Sequence, residues 1–84
     1  MATRTLYEVV YELPPPGPGA EQAAVARTGS LADAMQAALL HMPTMGIGDL
    51  PSPLFAEARP GYWVGAVAGA GVYRIRRLTD PGEE

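Results

Sequence analysis

The sequence contains no cysteine, and that absence removes disulfide frameworks, thiolate catalysis, zinc ribbons and iron–sulfur clusters together. A small secreted domain without cysteine lacks its usual covalent staple, so a reducing interior such as the bacterial cytoplasm is the simpler expectation. Lysine and asparagine are missing too: every basic side chain is arginine, namely Arg4, Arg27, Arg59, Arg74, Arg76 and Arg77. Alanine, glycine and proline are abundant instead. This bias toward GC-rich codons fits a high-GC bacterium, or a phage or plasmid living in one. No long hydrophobic run exists either. The stretch from Tyr62 to Tyr73 reaches only twelve uncharged residues and is broken by glycines, well short of the roughly 18–20 that a spanning helix needs. The first ten residues alternate polar and apolar side chains without the apolar block of a secretory signal, so neither a leader nor membrane association is expected.

What remains is a short chain of mixed character. Its 84 residues are 48% apolar and 18% charged, too hydrophobic for a disordered tail and short enough for a single domain. That domain is expected over residues 1–78, with 79–84 as a polar, disordered tail. Nine acidic residues against six basic ones leave a formal charge of −3, which ranks a nucleic-acid partner below a protein one.

Hydrophobic periodicity assigns the elements. From Thr3 to Leu13, Tyr7, Val9, Tyr11 and Leu13 alternate with Leu6, Glu8, Val10 and Glu12, the pattern of a strand with one core face. Pro14-Pro15-Pro16-Gly17-Pro18-Gly19 then ends it; a stiff connection is favoured over a PxxP ligand for an SH3-type groove. The alanine-rich segment from Glu21 to Arg27 suits a helix by propensity. At seven residues, however, an isolated helix is marginal, so a strand paired with the first is expected. Ser30 is positioned to cap a helix from Leu31 to Met42, with Asp33 in its first turn and Pro43 as its stop. Leu31, Ala34, Met35, Ala38, Leu39 and Met42 form its apolar stripe. Residues 43–61 are a long, apolar connection in which 52–58 reads equally as a helical turn or as a short strand ending at Pro60-Gly61. Tyr62 to Val67 and Val72 to Leu78 complete a hairpin.

None of the familiar catalytic arrangements is present. His41 is the only histidine, and Asp49 or Glu57 would reach it only if the long loop folded back. Neither cofactor nor metal is expected. The glycines from Gly65 to Gly71 precede a strand rather than a helix, so they read as a hairpin turn and not as a phosphate loop. Arg74 and Arg76, in contrast, lie beside Tyr62, Trp63 and Tyr73 in the hairpin. Arginine, tyrosine and tryptophan dominate protein interfaces. A partner-binding surface is therefore expected from Tyr62, Trp63, Tyr73, Arg74 and Arg76, with Phe55 from the loop. Two other readings compete: Trp63 as the largest core side chain, and Arg74 and Arg76 as cross-strand partners of Glu8 and Glu12.

These elements make an α+β domain, a small antiparallel sheet in ββαββ order with one amphipathic helix on one face. The opposite face would be wet, or covered by the long loop or another chain; a homodimer is one such arrangement. Over residues 3–78 this order of elements resembles that of small phage and mobile-element proteins, notably anti-CRISPR proteins. The resemblance implies a non-enzymatic inhibitor that blocks a surface of a larger bacterial complex, and it carries over no functional residue.

Overall fold

In a computed structural model, which describes residues 5–14 and 19–79, the chain forms five strands, an α-helix and a 3-10 turn. The strands are β1 (Thr5–Glu12), β2 (Gln22–Thr28), β3 (Ala56–Arg59), β4 (Tyr62–Ala66) and β5 (Val72–Thr79). The helix α1 spans Leu31–His41, and the 3-10 turn Met42–Met45 follows it directly. All neighbouring strands are antiparallel, in the spatial order β2-β1-β5-β4-β3. The expected α+β class holds, but the ββαββ order needs correcting. Ala56–Arg59 adds a fifth strand, and the chain's outermost strands in sequence, β1 and β5, pair at the middle of the sheet.

Local chemistry explains most of these boundaries. Pro14 removes a donor where β1 ends, and Leu13 N–H donates to the Glu21 carbonyl at 2.8 Å to close the first hairpin. The polyproline expectation falls on residues 15–18, outside the described residues. The segment after it is a strand, as its alternation suggested, with a bulge at Val25 opposite Val9 and Val10. Both Val25 and Ala26 thereby lean toward the core side of this edge strand. Ser30 caps α1, its Oγ accepting from the Asp33 N–H at 3.1 Å. Pro43 ends the α-helix one residue earlier than expected and does not end helical winding. It sits in the first turn of the 3-10 segment, where its missing N–H costs nothing, and Gly46 at φ +75° terminates that turn. Thr79 belongs to β5 and pairs with Thr5, so the strand runs one residue into the expected tail; residues 80–84 lie outside the described ones.

The core forms where α1 crosses the sheet. Val9, Tyr11, Tyr73 and Ile75 from β1 and β5 meet Ala34, Ala38 and Met42 from the helical segment, all buried. The two alanines let the helix backbone approach the strands, while Leu31, Met35 and Leu39 border the contact half-buried. Tyr11 and Tyr73 stack obliquely with centroids 4.7 Å apart, and the Tyr73 hydroxyl lies 2.8 Å from Nδ1 of His41. The long connection covers the rest of the same face. Phe55 and Pro53 rest on Gly65 so closely that a Cβ there would stand 2.9 Å from the Phe55 ring. Helix and loop thus share one side of the sheet, and among the described elements none covers the other.

Candidate functional site

The register of the strands determines what the uncovered face displays. Residues opposite one another on antiparallel strands point to the same side. One transverse row runs across all five strands: Arg27 on β2, Glu8 on β1, Arg76 on β5, Tyr62 on β4 and Arg59 on β3. The adjoining row is Ala24, Val10, Arg74, Val64 and Ala56. Beyond the first row on its other side, Leu6 faces Leu78. A charged, tyrosine-containing band therefore lies between two largely apolar ones.

Within the band the polar groups hold one another. Glu8 accepts from Arg76 at 2.8 Å and from Arg27 at 3.3 Å, so one carboxylate serves two guanidinium groups. The hydrogen bond from Arg76, seconded by Arg27, keeps the Glu8 carboxyl below the usual carboxylate range despite its partial burial. Arg74 donates through Nε to Glu12 at 2.9 Å and through Nη1 to the Tyr62 hydroxyl at 2.6 Å; both bonds hold its guanidinium charged. Arg59 stacks on the Tyr62 ring, 4.5 Å from its centroid. Glu8, Val10, Gln22, Tyr62, Arg74 and Arg76 enclose a shallow depression of about 170 Å³. Among the described residues, four arginines less two glutamates leave this face two positive charges in surplus, on a chain whose overall charge is −3.

The six residues expected to form one surface are divided between the two sides of the sheet. Tyr62, Arg74 and Arg76 are together on the uncovered face. Tyr73 is fully buried beneath the helix. Phe55 packs on Gly65, and Trp63 lies half-buried on the same covered side, its ring 5.9 Å from that of Tyr7. The cross-strand pairs of Arg76 with Glu8 and Arg74 with Glu12 are formed. Arg27, Arg59 and Glu8 complete the band. Alternation along β1 marks Glu8; Arg27 and Arg59 are aligned with it only by the bulged pairing of their strands and the strand order.

His41 points inward to Tyr73, and burial, with the neighbouring Tyr11, pushes the Tyr73 hydroxyl up to about 12. This is a polar link beneath the helix rather than an opening to solvent. Among the described residues no group of three His, Asp or Glu converges as a metal-ligand set, and no helix is long and apolar enough to cross a membrane. No protein-family model, curated protein or solved structure matches the chain.

Proposed function

We propose that the protein is a non-enzymatic binding module that docks the uncovered face of its sheet on another protein. The observation that carries this reading is the placement of α1 and the 46–55 connection on a single side, so that no described element covers the five strands on the other. Arginine and tyrosine, frequent anchors of protein interfaces, stand at the centre of that face with apolar residues around them. Hydrogen bonds hold Arg74 and Arg76 in place, so little side-chain freedom is lost on docking. A second copy of the chain suits the face less well, because two surfaces with surplus positive charge would repel. The mode of action we propose with it is that of an inhibitor carried by a phage or other mobile element, blocking a surface of a larger complex in the bacterial cytoplasm; it rests on the resemblance of the expected ββαββ order alone, from which the fifth strand departs.

The test places a bulky side chain on exposed alanines of the open face. Ala24→Trp and Ala66→Trp lie on β2 and β4 and disturb no core contact, whereas Leu40→Glu alters the outer surface of α1, where Leu40 is 66% exposed. In affinity capture followed by size measurement of the complex, the two tryptophan variants are expected to lose the partner and Leu40→Glu to keep it. The opposite pattern would move the binding surface to the helix side.

A further inference from the structure

We infer that the open face recognises an acidic amphipathic helix of a partner protein, seated along the arginine band. This inference rests on the docking face proposed above and adds the chemistry of the partner. Arg27 and Arg76 share the single carboxylate of Glu8. Arg59 forms no ion pair among the described residues and instead lies over Tyr62. Among the described residues the band therefore holds unbalanced positive charge at both ends and at its centre, fixed in position by Glu8 and Tyr62.

Spacing selects the helix. Arg27, Arg76 and Arg59 stand on alternate strands, β2, β5 and β3; neighbouring strands lie about 4.8 Å apart, so successive arginines are separated by about 10 Å. On an α-helix, residues seven apart share a face and rise about 10.5 Å. Three acidic side chains at heptad spacing thus match all three arginines in one straight segment.

The flanking rows supply the second half of the match. Val10 and Val64 lie on one side of the band, and Leu6 and Leu78 on the other. Rows two residues apart along a strand are about 7 Å apart. A helix about 10–12 Å across spans the band and reaches both flanks with the residues three and four positions beyond each acid. The flanking valines and leucines, with Arg74 between the valines held by Glu12 and Tyr62, also separate this surface from a nucleic-acid site. A phosphate backbone has nothing apolar to place there, and Glu8 and Glu12 would stand against it.

The probe is a synthetic peptide of roughly 20 residues, long enough to hold some helix in water. It carries glutamates at heptad spacing with leucines three and four positions after each. Binding is read by titration of the full chain, following amide and arginine side-chain NMR signals. The heptad peptide is expected to bind, shifting the signals of Arg59 and Arg76. Its affinity should fall about three- to tenfold for Arg59→Gln, for Arg76→Gln and for each Glu→Gln change in the peptide. Both arginines are exposed, so the folded signals of each variant certify that the loss is one of contact. Three results would overturn the inference: no binding by the heptad peptide, equal binding by a scrambled peptide of the same charge, or displacement by a single-stranded oligonucleotide at lower concentration. If a natural partner is lost with Ala66→Trp yet kept with Arg59→Gln and Arg76→Gln, the docking face stands and the acidic helix falls.

Discussion

Replacing Tyr73 by phenylalanine should reverse its own effect as the solution becomes alkaline. Near neutrality the hydroxyl contributes one hydrogen bond to His41, 2.8 Å away. Its loss is expected to cost about 0.5–1.5 kcal/mol. The side chain is fully buried, and burial pushes its ionisation from 10 up to about 12. In the unfolded chain the same phenol ionises at its ordinary value of about 10. Between these two values the unfolded state has released a proton that the folded state still holds, so stability falls as pH rises through that interval. The gap of about two pH units corresponds to about 2–3 kcal/mol, complete once the folded-state value is passed. Tyr73→Phe has no such group to ionise. Urea midpoints at successive pH values should therefore show the variant below the parent at neutral pH, with the curves converging above pH 10 and crossing before pH 12. The other tyrosines are common to both proteins and largely cancel in the comparison. Parallel curves through that interval would refute the reasoning, because they would mean that the Tyr73 hydroxyl is hydrated in the folded state.

Gly71→Ala should destabilise the fold by about 2 kcal/mol or more, since the added Cβ would run into the Glu12 carbonyl oxygen and the Tyr11 ring, neither free to move. Gly69→Ala serves as its comparison in thermal melts: it meets only the positive φ of +78° and open space, with a cost near 1 kcal/mol. Ala38→Leu is expected to cost about 1–3 kcal/mol by forcing α1 away from the sheet. A stability within about 0.5 kcal/mol of the parent would show that the helix does not touch the strands through its small residues.

The parts of the fold set by local pattern could be read from the chain. Alternation assigned Val9 and Tyr11 to the core and Glu8 and Val10 to the other side of β1. The spacing from Leu31 to Met42 fixed the face of the helix, although the buried positions proved to be Ala34, Ala38 and Met42, with Leu31, Met35 and Leu39 half-buried around them. What local pattern left open was decided by pairing. Ala56–Arg59 has four exposed residues and no alternation of burial, so the choice between a helical turn and a short strand fell only with its pairing to β4. The site followed the same division. Arg74 and Arg76 could be matched with Glu8 and Glu12 because both segments were recognisable strands. Arg27 and Arg59 join them through the order of five strands, a property that no single segment carries. Trp63 and Phe55 are the residues for which composition was least informative, since a large aromatic serves a core and an interface equally well.

The position of β5 has a consequence for how the molecule assembles. Two hairpins, β1–β2 and β3–β4, are each local in sequence, but they share no strand pairing; β5 lies between them, with the Tyr7 and Trp63 rings meeting across it, and is synthesised after both. Until it arrives, β1 and β4 each present an unpaired edge, and the Tyr11 ring has no Tyr73 to lie against. Docking of that one strand pairs both edges and brings the two ends of the described chain together at Thr5 and Thr79. The pairing of β1 with β5 is a long-range contact, of the kind that slows folding. An intermediate arrested before that step exposes two templates for pairing with other chains. A cyclised form, joining the strands that already meet at Thr5 and Thr79 and reopened at the Gly69 turn, would make β4 and β5 the distant pair and β1 and β5 the local one. The same sheet would then be reached by a different order of events.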